Sequence, residues 1–102
     1  MDQLVERVAG LLREAAALHH RVYRITDGAD DDWATWYADW LARLSELPDV
    51  LPRRPVRSEL TVQLVLCDAA HRSAGGTQPW ERFYAERLVA FFAQGGAADG
   101  AR

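Results

Sequence analysis

Apolar residues recur every three or four positions along four segments of this chain, and that period constrains the fold more than any other feature. In the first segment, helical geometry places seven apolar residues on one face: Leu4, Val8, Leu11, Leu12, Ala15, Leu18 and Val22. The opposite face is mainly charged, as in Glu6, Arg13 and Glu14. This pattern predicts a first amphipathic helix over residues 2–24.

The second segment is rich in aromatic residues. Asp27 and Gly28 break the first helix, and the acidic residues 30–32 supply a cap and negative charge at the start of the next one. A helix over residues 31–47 then carries a stripe of six large residues: Trp33, Trp36, Tyr37, Trp40, Leu44 and Leu47. Because aromatic side chains remove much apolar area from water, we expect this stripe to be buried.

The third segment follows a proline-rich connector. The prolines within residues 47–56 disfavour helical angles in the residues before them, which leaves room for one short turn of helix. Ser58 is a good cap for a third helix over residues 58–73. Apolar residues cover most of the circumference of that helix: Leu60, Val62, Leu64, Leu66, Cys67, Ala69 and Ala70. We therefore expect it to be the most enclosed helix of the protein.

The fourth segment completes a bundle. Gly75 and Gly76 end the third helix, and Pro79 opens a fourth one. The fourth helix is expected to bury Trp80, Phe83, Tyr84, Leu88 and Phe91. Together these segments predict an all-α fold, a four-helix bundle, as a single domain over residues 1–93 with a flexible C-terminal tail over residues 94–102.

An internal repeat relates the second and fourth helices. Residues 33–41 and 80–88 share the pattern W-x-x-[WF]-Y-A-[DE]-x-L. The two helices therefore take equivalent places in two related helical hairpins, or the nine shared positions are a coincidence.

These segments, with Arg57-Ser58-Glu59-Leu60 and Pro79-Trp80-Glu81, resemble a family of short bacterial all-helical proteins with a W-x-x-W-Y-A motif. The resemblance spans about residues 11–88. It implies a stand-alone domain, and it supplies no catalytic residue because the family has no assigned activity.

The charge balance and the single cysteine narrow the class of protein. A net charge of -3 with mixed signs gives no positive surface for nucleic acid or anionic lipid. No apolar run approaches the length of a membrane span, and one cysteine excludes an intrachain disulfide. We therefore expect a cytoplasmic protein that binds neither nucleic acid nor membrane.

Three residues suggest a metal site. Cys67 and His71 are four positions apart and share a helix face, and His19 adds a third ligand if the first and third helices are neighbours. The alternative is a packed core, in which Cys67 lies among aliphatic residues and His19 bonds a carbonyl or a tyrosine hydroxyl.

A second set suggests a small-molecule site. Aromatic walls would come from Trp36, Tyr37, Trp40 and Tyr84, and polar contacts from His19, His71 and Arg87. Arg87 would stack on the rings near Trp80, Tyr84 and Phe91 or meet an anionic ligand, or else pack its stem along the core and extend its head into water.

No glycine-rich phosphate loop, nucleophile elbow or paired catalytic carboxylate is present in the sequence, and no cofactor is predicted. The first functional hypothesis is therefore a non-enzymatic interaction or assembly module, either a homodimer or bound to another protein, that uses the fourth side of the third helix or an exposed aromatic edge. The alternatives are the small-molecule site and, third, a metal-binding protein or enzyme.

Overall fold

The computed structural model describes residues 2–26 and 32–100, with side chains for residues 3–21 and 32–94. Within these residues it contains five helices: α1 (Asp2–Thr26), α2 (Trp33–Arg43), α3 (Leu47–Val50), α4 (Arg57–Ser73) and α5 (Trp80–Gly100). The described residues form no strand, so the predicted all-α fold is confirmed. The long helices are the four predicted from the sequence, and α3 is the short turn expected in the connector.

The four long helices form a bundle. In the described residues α1 packs against α2 and α5, and α4 packs against the same two helices, whereas α1 and α4 make no backbone contact with each other. The helices α1 and α4 are therefore diagonal. The short α3 packs against α1 and α2, at one end of the bundle.

The core is mainly aliphatic, which differs from the sequence prediction. In α2 the buried residues are Ala34, Ala38 and Leu41, while the four tryptophans of the protein are only half-buried. The prediction that the aromatic stripe of the second helix is buried is wrong in this respect. Small residues at Ala34 and Ala38 allow close approach of the neighbouring helices, and the larger rings pack around the edge of the core.

Among the other core predictions, Leu44, Phe83 and Phe91 are less buried than expected, whereas the predicted burial of Leu47 is confirmed. Leu44 is 66% exposed, because α2 ends at Arg43 and the helical register of the stripe stops there. Leu47 is fully buried, but from α3. In α5, Phe92 is buried and Phe91 only half-buried.

The expectation that the third predicted helix is the most enclosed is wrong. That helix is α4, and its Val62, Val65 and Leu66 are 54%, 49% and 51% exposed. The buried residues of α4 are Leu60, Leu64 and Cys67. Because α4 has helices on two sides only, its second apolar side is left in water.

The N-terminal end of α4 has a different construction from the one predicted, whereas the predicted glycines do end the helix. Ser58 is not the cap, because the N-cap is Val56, whose N–H donates to Glu59 Oε1 at 3.1 Å. At the other end, Gly76 N–H donates to the carbonyl of His71 and Gly75 N–H to that of Arg72. Both glycines have positive φ, 98° and 67° for Gly75 and Gly76, so this is a Schellman termination that favours glycine.

The C-terminal helix is longer than expected. It continues to Gly100, past residue 93, because glycine weakens a helix without preventing it and no proline stands in this stretch. The flexibility of residues 94–102 stays a prediction. The predicted capping residues Asp30 and Asp31, the breaker Gly28 and the side chain of Val22 lie outside the described residues.

Candidate functional site

The first predicted histidine lies between aromatic rings. His19 is half-buried on α1, with its ring centroid 4.9 Å from that of Trp36 and 5.2 Å from that of Tyr37. Both partners belong to α2, so His19 joins α1 to the helix that follows it.

The second histidine has the same type of neighbourhood. His71 on α4 lies with its ring centroid 5.1 Å from that of Phe83 and 6.3 Å from that of Tyr84, both in α5. Its Nε2 is 2.6 Å from the backbone carbonyl oxygen of Gln78, so Nε2 carries the proton that is donated. His71 thus ties α4 to the loop before α5.

The surroundings of the two histidines correspond in the two helical hairpins, which are α1–α2 and α4–α5. Trp36 and Tyr37 occupy the positions of the repeat that Phe83 and Tyr84 occupy in its second copy. The buried residues of α1 and α4 correspond as well, since both histidines are preceded at the same spacings by buried apolar side chains: Val8, Leu12 and Ala15 before His19, and Leu60, Leu64 and Cys67 before His71. The residues that surround the two copies of the repeat therefore correspond as well.

The residues of the predicted metal site do not converge. His19 and His71 lie on diagonal helices and pack against separate aromatic pairs. In the part of the chain that the structure describes, no group of three or more histidine, cysteine or acidic residues is placed to hold a metal ion. Burial raises the pKa of the Cys67 thiol to about 11, which disfavours the thiolate that binds metals.

An open pocket of about 160 Å³ lies at the end of the bundle where α2 and α5 begin and α4 ends. Its lining consists of Trp33, Tyr37, Asp68, Trp80 and Tyr84. Tyr37 and Tyr84 belong to the predicted small-molecule set, whereas Trp33, Trp80 and Asp68 were missed. The signal for the tryptophans was present in the sequence, because each is the first residue of one copy of the repeat.

A hydrogen bond and an ion pair fix the carboxylate of this pocket. The Tyr84 hydroxyl donates to Asp68 Oδ1 at 3.1 Å, and Arg72 lies 2.8 Å from Asp68 Oδ2. Burial raises the pKa of Tyr84, and the adjacent charge of Asp68 raises it further. Burial also raises the pKa of Tyr37. Both phenols are therefore neutral at physiological pH.

The other predicted ligand-binding residues lie outside the lining of this pocket. The Arg87 guanidinium carbon is 5.6 Å from the ring centroid of Phe83, which differs from the rings predicted for it. Trp40 is half-buried against the core cluster. The predicted site is therefore divided among a His19 cluster, a His71 cluster and the pocket itself.

The second candidate surface is the outer side of α4, which we call the α4 face. It consists of six exposed, uncharged residues: Ser58, Val62, Val65, Leu66, Ala69 and Ser73. Charged residues border this face and are engaged with other side chains, as in the 2.9 Å contact of Arg57 with Asp39 and the 2.8 Å contact of Arg72 with Asp68. A groove of about 330 Å³ beside the face is lined by Val62 and by Phe91 of α5, among others.

Searches against protein-family models, curated proteins and solved structures find no match to this chain. The resemblance to the short bacterial family therefore stays a prediction. Among the described residues, none of the helices has the length and apolar composition that crossing a membrane requires.

Proposed function

We propose that this protein is a non-enzymatic interaction module that assembles as a homodimer through the α4 face. The observation that carries this proposal is the exposure of Val62, Val65 and Leu66, each about half accessible to water, on a face whose six members are uncharged. Contiguous apolar surface of this kind is typical of sites where proteins meet.

The arrangement of the face favours a second copy of the same chain as the partner. The midpoint of the α4 face lies between Val65 and Leu66. From there the other members follow at intervals of three and then four residues in both directions, at Val62 and Ser58 on one side and at Ala69 and Ser73 on the other. Two antiparallel copies of α4 therefore set Val62 of one copy against the small Ala69 of the other. Val65 of each copy then meets Leu66 of the other beside the two-fold axis, so both copies use the same patch, as an isologous interface requires.

The size of the face sets the expected affinity. A helix of 17 residues is about 25 Å long and about 10 Å wide, which gives a footprint of about 250 Å² on each copy. Stable interfaces bury about 1,200 to 2,000 Å² in total, so α4 alone makes a weak dimer. We therefore expect micromolar rather than nanomolar association.

Two further exposed apolar residues lie near one end of α4. Leu44 and Val56 are 66% and 58% exposed. They are the chain neighbours of Arg43 and Arg57, which both bond Asp39, so they lie at the same end of the bundle.

Sedimentation equilibrium over a concentration range from micromolar to millimolar tests the proposal. We expect a reversible dimer for the wild-type protein and a monomer for Leu66→Glu, because the substitution places two carboxylates at the two-fold axis. Thr35→Glu, at an exposed position of α2, is the matched control and should dimerise as the wild type does.

A charge-pairing experiment separates this geometry from a general effect of charge. Leu66→Glu and Leu66→Arg should each be monomeric, and an equimolar mixture should form a heterodimer. A wild-type chain that stays monomeric throughout, or a Leu66→Glu chain that dimerises normally, overturns the proposal.

A further inference from the structure

We propose that the pocket lined by Trp33, Tyr37, Asp68, Trp80 and Tyr84 binds a methylated or quaternary ammonium group. This inference goes beyond assembly through the α4 face. The pocket takes Asp68 from α4, and its lining includes none of the six residues of the α4 face.

The four rings of the pocket are arranged as walls. The rings of Trp33 and Tyr37 are inclined by 88° with centroids 5.8 Å apart. Tyr37 and Trp80 are inclined by 72° at 6.4 Å, and Trp80 and Tyr84 by 75° at 5.1 Å. All four rings line the open pocket, and aromatic cages are the sites at which proteins recognise alkylated ammonium groups.

The repeat explains why the two halves of the chain meet here. Trp33 and Tyr37 occupy the first and fifth positions of one copy, and Trp80 and Tyr84 occupy the same positions of the other. Each hairpin therefore contributes one tryptophan and one tyrosine to the pocket. Core packing alone explains one such pair on a single helix. It does not explain two pairs that line the same open pocket, because their rings border a space that is not filled.

The charge of the lining favours a cation. Asp68 is its acidic member, and neutral tyrosines and tryptophans make up the rest. Arg72 pairs with Asp68 Oδ2 and competes with a bound cation, but its side chain is 74% exposed and so leaves the carboxylate at little cost. Removal of Arg72 should therefore strengthen binding, while removal of the Asp68 charge should weaken it.

The volume of the pocket limits the ligand to a head group. Pockets for whole small molecules measure about 300 to 1,000 Å³, and this one measures about 160 Å³. It suits a compact alkylated ammonium group whose remaining part extends into solvent.

Titration with tetramethylammonium chloride, followed by NMR of the tryptophan indole N–H groups, tests this inference. We expect the Trp33 and Trp80 signals to shift and saturate, while Trp40, which lies outside the pocket, stays unchanged. Neopentyl alcohol has a similar shape without charge and should bind at least about five-fold more weakly, since a cation over aromatic rings gains about 1 kcal/mol or more.

Three variants complete the test. Asp68→Asn and Trp80→Leu should each weaken tetramethylammonium binding several-fold, and Arg72→Gln should strengthen it. Trp40→Phe is the control for loss of a half-buried tryptophan outside the pocket and should leave binding unchanged. Equal affinity for the ion and the alcohol, unshifted signals up to high millimolar concentration, or no effect of Asp68→Asn and Arg72→Gln in folded protein overturns the inference.

Discussion

His71 Nε2 donates a hydrogen bond to the backbone carbonyl oxygen of Gln78 at 2.6 Å, and this contact joins the last turn of α4 to the loop that leads into α5. His71→Phe keeps a ring against Phe83 and removes the donor. We expect the free energy of unfolding to fall by about 0.5 to 1.5 kcal/mol, the usual net value of one hydrogen bond. Urea denaturation measures this free energy, and His20→Phe, at an exposed position of α1, is the control. Equal stability of the two variants would contradict this role.

Arg53 and Arg54 are adjacent in sequence and differ in their surroundings. Arg53 makes a two-pronged contact with Glu59, at 3.0 and 2.9 Å, and its guanidinium carbon lies 4.8 Å from the ring centroid of Phe92. Arg54 makes a single contact with Asp49, and both side chains are more than 70% exposed.

We therefore expect Arg53→Gln to lower the free energy of unfolding by about 1.5 to 3 kcal/mol, the range for hydrogen bonds to charged groups. Arg54→Gln should change it by less than about 0.5 kcal/mol. Thermal denaturation of the two variants in parallel makes the comparison, and a larger effect at Arg54 would refute it.

Asp39 accepts hydrogen bonds from Arg43 and Arg57, which lower its pKa from 3.8 to about 2. Because the pKa is lower in the folded state, the stabilisation is present above about pH 4 and is lost as the pH falls through about 2. An NMR titration of the carboxyl carbon should give a midpoint near 2. The double variant Arg43→Gln, Arg57→Gln should raise the midpoint towards the ordinary value, and an unchanged midpoint would exclude these arginines as the cause.

Leu41 and Leu44 differ although both belong to the second apolar segment of the sequence. Leu41 is fully buried and Leu44 is 66% exposed. Leu41→Ala should lower the free energy of unfolding by about 2 to 5 kcal/mol through loss of apolar contact and the cavity left behind. Leu44→Ala should change it by less than about 0.5 kcal/mol, measured where the chain is monomeric. A large loss at Leu44 would show that this residue is covered in the folded monomer.

Local patterns in the sequence predicted much of the fold. The period of three and four residues identified the four long helices, and Gly75 and Gly76 marked the end of the third one, where positive φ is needed. The repeat beginning at Trp33 and at Trp80 pointed to two equivalent hairpins. These features depend on short-range geometry, which neighbouring residues define by themselves.

The sequence could not predict which apolar side of a helix is covered. On α4, Leu60 and Leu64 lie on one side and Val62 and Leu66 on another, and the two sets have the same chemical character. Only the packing of α2 and α5 buries the first set and leaves the second in water. The sequence prediction of an enclosed helix was wrong for this reason.

The sequence by itself determined the four long helices, the glycine termination of α4 and the repeat, because backbone geometry and residue preferences act over a few positions. Tertiary structure alone decided that His19 and His71 lie on diagonal helices, and that Asp68 meets the four rings of the repeat in one pocket. The physical reason is that the helical period fixes the direction in which each side chain points from the axis of its helix. The neighbour in that direction depends on how whole helices pack against one another.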